Sequence, residues 1–217
     1  MAIDFEQARA TMVEQQVRPW DVLDPRVLEA LLHVRREDFV PARHRKLAFA
    51  DIALPLEHGE VMMKPVLEGR ALQSLDLGPS DVVLEIGTGS GFLTACLARL
   101  AREVVSLDIH ADFVERTRAR LAAESVANVR LETADAFAWE PGRTFDAIVV
   151  TGAVATDPER FGAWLAPGGR LFVVHGESPV MEALRITRRD DGLHRESLFE
   201  TDLPHLRGAE PAPRFDF

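Results

Sequence analysis

Residues Val83 to Gly91 read Val-Leu-Glu-Ile-Gly-Thr-Gly-Ser-Gly, an apolar β-branched run that breaks into three alternate glycines. Such a run ends a buried strand, and the glycines turn the chain tightly into the helix predicted from Phe92 to Ala101. Glycines at that turn let a ligand approach the backbone with no Cβ in the way, and the helix start offers free N–H donors. The third glycine comes one position earlier than in the dinucleotide fingerprint, where Phe92 would have to be glycine. The spacing therefore suits a nucleoside ligand that lacks a pyrophosphate.

The segments that follow repeat the grammar. Strands are predicted at Val82–Ile86, Glu103–Leu107, Val129–Glu132, Phe145–Val150 and Leu171–Val174. Helices are predicted at Ala111–Ala123 and Pro158–Leu165, the latter closed by Pro167-Gly168-Gly169 read as a helix stop. Alternation of this kind gives a parallel sheet with right-handed crossovers. Asp108 closes the second strand and Asp135-Ala136 follows the third, so two acids lie on the edge where open α/β sheets bind ligands. Asp is also a favoured helix cap, which is the plain structural role for both.

Around this core, residues 1–80 read as a helical cap with an irregular stretch at 51–66. Asp24-Pro25 marks a helix start, and a further helix is predicted over Leu67–Leu77. Met181–Arg188 and Leu193–Phe199 flank Asp190-Asp191-Gly192 as an antiparallel hairpin, within a C-terminal part at 176–207. Residues 208–217 read as a loose tail. The whole is one domain of 217 residues, with the ligand-binding core at 81–175.

Composition narrows the function classes. A net charge of −10 argues against nucleic-acid binding, which is built on clustered basic charge. No apolar run is long enough to insert in a membrane. The single cysteine, Cys96, fits a reducing cytoplasmic setting, and the seven histidines show no metal-ligand spacing. Arg35, Arg36, Arg43, His44, Arg45 and Lys46 form a basic run. It reads as a solvated helix face or, more sharply, as a surface for an acidic partner.

The chain resembles the protein-L-isoaspartate O-methyltransferase family, within the AdoMet-dependent methyltransferases. The resemblance rests on Leu84 to Gly91, on Arg36-Glu37-Asp38-Phe39-Val40-Pro41, on Ala50 to Leu56 with Gly59-Glu60, on Phe145 to Thr151 and on Leu165 to Leu171. It implies a Rossmann-like seven-stranded α/β sheet. It further implies S-adenosyl-L-methionine held by Glu85, Ile86, Gly87, Thr88, Gly89, Ser90 and Gly91, with Asp108 at the ribose, Ile109 next to it in the cofactor site, Asp135 and Ala136 at the adenine edge, and Thr151 near the sulfonium. Methyl would pass to a protein or peptide carboxylate.

One stretch departs from the family. Its substrate loop reads Thr-Ile-Ser-x-Pro, whereas here Val61-Met62-Met63-Lys64-Pro65 puts Met63 in place of the serine. A thioether cannot donate the hydrogen bond that steers a carboxylate. The expectation is weak isoaspartyl turnover that Met63→Ser would restore. Met62 and Met63 would instead offer an apolar surface to a small aromatic or apolar acceptor, or fill core. Lys64, one of two lysines, would supply a cation, and His58 the base that a hydroxyl acceptor needs. A non-catalytic AdoMet-binding protein is the third reading.

Overall fold

The computed structural model describes residues 3–212. In chain order the elements are α1 (Phe5–Met12), α2 (Pro25–His33), α3 (Arg36–Phe39), β1 (Leu54–Pro55), β2 (Val61–Met62), α4 (Pro65–Leu75), β3 (Val82–Ile86), α5 (Phe92–Leu100), β4 (Glu103–Asp108), α6 (Ala111–Ala123), β5 (Val129–Thr133), β6 (Phe145–Val154), β7 (Leu165–Glu177), β8 (Val180–Arg189) and β9 (Gly192–Thr201). The seven long strands form one sheet in the order β5-β4-β3-β6-β7-β8-β9. The first five run parallel, and β8 and β9 add an antiparallel edge. The order reverses between β3 and β6, which opens a crevice at their C-terminal ends.

Period-2 alternation divides the sheet's side chains between two cores. Val83, Val104, Val149 and Phe172 face a layer containing α2, α4, α5 and α6. Leu84, Ile86, Val105, Ile148 and Val173 face the opposite side. That side is covered more thinly, because the helix expected at Pro158–Leu165 is a single 3₁₀ turn, Arg160–Trp164. Gly162 in that turn packs against the sheet's edge: a Cβ there would lie 2.6 Å from Leu193 Cδ1. The reading of Gly168-Gly169 as a helix stop is also corrected. Both lie inside β7, where the register with β6 slips between Phe145 and Ala147. A Cβ on Gly169 would meet the Ala166 and Phe145 carbonyl oxygens at 2.8 and 3.0 Å, so the bulge needs glycine.

The N-terminal cap is helical as expected, with Asp24 accepting the Arg26 N–H and Pro25 opening α2. The basic run is not one solvated face. Arg36 is fully buried: its Nε donates to the Ala48 carbonyl at 2.8 Å, its Nη2 to the Met63 carbonyl at 2.8 Å, and its Nη1 pairs with Glu68. Its guanidinium lies 4.7 Å from the centroid of the Phe92 ring. Arg36 thus ties the cap, the β2 segment, α4 and α5 into one unit. Arg35 and Arg45 pair with Asp38 on the surface.

The irregular stretch contains a small flap, with β1 paired antiparallel to β2. The hairpin β8–β9 forms as expected, two to three residues longer. The loose-tail reading fails at its start. Ala209 is buried, donates its N–H to the Leu206 carbonyl and accepts from Ala155. Residues 213–217 of that stretch lie outside the described residues.

Candidate functional site

A cleft of about 710 Å³, open to solvent at its mouth, sits at the crevice between β3 and β6. Its floor is Gly87, at φ +97°, and Gly89, at φ +52°, both in the left-handed region that favours glycine. A Cβ on Gly87 would lie 2.1 Å from Thr151 Oγ1. That hydroxyl donates towards the carbonyls of Ile86, at 3.0 Å, and Gly87, at 2.7 Å, and so pins the turn to β6.

Asp108 stands at the end of β4, 7% exposed. Its Oδ2 accepts the Gly89 N–H at 2.8 Å and its Oδ1 the His110 N–H at 2.9 Å. Each oxygen keeps a lone pair for a further donor. Burial raises its pKa above the usual carboxylate value, with the two N–H bonds opposing. Ile109, 46% exposed, and Ala136 flank the same wall. Asp135 lines it too, and its Oδ1 also accepts the Phe137 N–H at 2.9 Å, the capping role that its residue type predicts.

The structure does not bring all of the expected glycine loop to the cleft. Glu85 shares its strand face with Val83, so its side chain enters the helical layer. There its Oε2 accepts from Ser106 and Thr94 hydroxyls, each at 2.5 Å. Burial pushes its pKa up to about 8. Thr88 bonds Ser106 at 2.6 Å beneath the turn. Ser90 faces away, its carbonyl accepting Arg120 Nη1 at 2.7 Å. Gly91, at φ +83°, begins α5, and a Cβ there would strike Thr117. These four support the turn without lining the cleft; Ile86, Gly87 and Gly89 line it.

The four candidates in the substrate loop stand elsewhere. Met62 and Met63 are 3% and 4% exposed and belong to the core under the cap. The expectation that they present an apolar acceptor surface is corrected: the Arg36–Met63 carbonyl bond turns this backbone inward. Lys64 occupies the N-cap position of α4 and makes no side-chain capping bond. His58 projects outward at φ +60°, its Nε2 on Asp112 Oδ1 at 2.8 Å and its ring stacked on His110 at 4.0 Å. The flap instead contributes Leu56, Glu60 and Val61 to the cleft.

Sequence reasoning missed the opposite wall, residues 203–207. After β9 the chain returns across β6, with Ala153 donating to the Pro204 carbonyl and Leu206 donating to the Ala153 carbonyl, both at 2.8 Å. A Cβ on Gly152 would lie 2.8 Å from the Leu206 nitrogen, so that glycine marks the close approach. Arg207 stands half exposed at the mouth, its Nε donating to Glu60 Oε1 at 2.8 Å. Among the described residues, no helix is long and apolar enough to cross a membrane.

The sequence model of the family described as protein-L-isoaspartate(D-aspartate) O-methyltransferase matches residues 7–201. Protein-L-isoaspartate O-methyltransferase 1 of Rhodopseudomonas palustris is 36% identical, over 99% of this chain and 91% of its own length. The protein of the same name from Anaeromyxobacter is 40% identical, over 90% of this chain and 92% of its own. A Plasmodium falciparum structure described as a putative protein-L-isoaspartate O-methyltransferase, in complex with S-adenosyl-L-homocysteine, shares the fold. It superposes with a TM-score of 0.79 at 20% identity, covering 91% of this chain and 97% of that one. The chain belongs to the protein-L-isoaspartate O-methyltransferase family and is an AdoMet-dependent methyltransferase.

Proposed function

We propose that this chain esterifies the isoaspartyl carboxylate of proteins or peptides in the cytoplasm, using AdoMet bound across the ends of β3, β4 and β6. The observation that carries the reading is one cleft that joins the Gly87–Gly89 turn, the buried Asp108 carboxylate and, at its mouth, Arg207 paired with Glu60. The residues present fit the cofactor. The space a Cβ would fill at Gly89 is bounded only by Leu56 Cδ1, at 3.5 Å, so backbone is open to a ligand there. Asp108 would accept the ribose hydroxyls, with Ile109, Asp135 and Ala136 beside the adenine. Thr151 and residues 203–207 would flank the methionine part. When bound, AdoMet supplies an electrophilic methyl on a sulfonium.

The chain's own task is then orientation. A carboxylate acceptor, with an unperturbed pKa of about 4, is ionised at neutral pH and needs no general base. A hydroxyl acceptor does need one. His58 is held outside on Asp112, and His205 Nε2 is held by the Gly176 carbonyl at 2.9 Å. His110 follows Asp108 at the nucleoside end. Arg207, its Nε held by Glu60, keeps further N–H donors that would align a carboxylate, and the apolar side chains of Leu56, Val61 and Leu206 would limit water around a bound acceptor.

The test is transfer of label from tritiated AdoMet to an isoaspartyl peptide, with its aspartyl isomer and a cell extract alongside. Base-labile label confined to the isoaspartyl peptide is the expected result. Label only in small molecules of the extract would replace this reading with that of a small-molecule methyltransferase. No label from a protein that binds AdoMet would make it a binding protein.

A further inference from the structure

Beside the cleft, and sharing Leu56, Gly89 and Phe113 with it as a common wall, lies a second cavity of about 500 Å³ that opens between the cap and α6. Pro41 and Phe39 form its cap side, Ser90 and Glu57 its floor, and Arg116 and Arg120 project from α6. The two arginines differ. Arg116 is neutralised by Glu57 Oε2, at 2.9 Å, and Asp112 Oδ2, at 2.6 Å. Glu57 is in turn held below the usual carboxylate range, first by that Arg116 bond and also by the charge of Arg43.

Arg120 makes no ion pair among the described residues. One nitrogen donates to the Ser90 carbonyl and the guanidinium lies 5.8 Å from the Phe39 ring centroid. Its partial burial, and next the adjacent Arg116 charge, lower its pKa, while the more distant charges of Glu57 and Asp38 oppose. A half-buried guanidinium with donors to spare, in a polar cavity, is an element that recognises carboxylate and phosphate.

We infer that this cavity is an oxyanion subsite, centred on Arg120 and flanked by Arg116, that takes a carboxylate or phosphate group. Two sources share that chemistry: an acidic side chain of the acceptor polypeptide, crossing from the cleft over Leu56, or free phosphate. The peptide source rests on the isoaspartyl reading above; the site itself does not.

The experiment reads binding, not turnover, so failure of the methylation reading leaves it interpretable. Inorganic phosphate is titrated by calorimetry at constant ionic strength. Fluorescent isoaspartyl peptides with a neighbouring Glu or Gln are titrated by anisotropy. Wild type, Arg120→Met, Arg120→Lys and Glu57→Gln are compared. Arg120→Met should weaken phosphate by about tenfold or more, the scale of a lost charged hydrogen bond. Arg120→Lys should keep part of the affinity. Glu57→Gln should tighten it several-fold, a direction that a merely structural lesion does not produce. If the Glu peptide binds several-fold tighter than the Gln peptide and Arg120→Met erases the difference, the acceptor is the source. Phosphate binding without that preference assigns a free anion. Wild type that binds neither selectively, or Glu57→Gln with unchanged or weaker affinity, overturns the site, and this second variant decides if Arg120→Met does not fold.

Discussion

Replacing Gly87 with alanine should damage the cleft through two separable terms. The first is backbone: φ is +97°, and a side chain held in such a region costs about 1–3 kcal/mol. The second is steric. The new Cβ would lie 2.1 Å from Thr151 Oγ1, but 3.5 Å from Thr151 Cβ. The hydroxyl must leave, and the single hydrogen bond it shares between the Ile86 and Gly87 carbonyls, at 3.0 and 2.7 Å, goes with it. The loss of that bond adds about 0.5–1.5 kcal/mol. Thr151→Ala removes the obstructing oxygen in advance. Gly87→Ala made in that background should therefore cost only the backbone term, giving a coupling of about 0.5–1.5 kcal/mol between the two positions. Urea unfolding of the four proteins measures it, and AdoHcy calorimetry on the same four reports the cleft. If the two substitutions add within about 0.5 kcal/mol, Thr151 does not pin the turn and the reasoning fails.

Asp108→Ala should weaken AdoMet by about 1.5–3 kcal/mol in calorimetry, the worth of hydrogen bonds to a charged group. Since burial raises the Asp108 pKa, AdoMet affinity in the wild type should fall as pH drops through that raised value, and the variant should lose this dependence. Glu85 is raised from 4.5 to about 8, so the native state binds the extra proton. Its contribution to stability is complete below the unfolded value and declines as pH rises towards 8; Glu85→Gln should flatten that slope in urea titrations. Arg36→Met leaves Glu68 buried without its partner and should cost about 3–5 kcal/mol at neutral pH. Met63→Ser opens the core at a 4% exposed site and should lower the melting temperature with no gain in isoaspartyl turnover.

The parallel core was legible because its signals are local. The β-branched runs, the glycine turn and the acid two strands along all follow from period and turn chemistry. Asp108 was readable as a strand-end acid for the same reason. Glu85 was not readable as a buried acid under α5, because loop membership hides which face of β3 a residue takes. The substrate-loop methionines misled in the same way: only the long-range contact of Arg36 with the Met63 carbonyl reveals that this segment turns inward. The wall at 203–207 depends on two backbone bonds to Ala153, some fifty residues away in sequence, and no local pattern encodes such a return. The segment at Pro158–Leu165 likewise packs through a long-range contact, Gly162 against Leu193, that its local pattern does not encode.

The claim on which the rest depends is that the crevice between β3 and β6 is the cofactor site. A crystal structure of the protein grown with S-adenosyl-L-homocysteine tests it most directly. The expected result is ribose hydroxyls on the Asp108 carboxylate, the adenine against Ile109 and Ala136, and the sulfur beside Thr151 over the Gly87–Gly89 turn. Density for the nucleoside elsewhere, or in the crevice with Asp108 making no contact to it, would contradict the account.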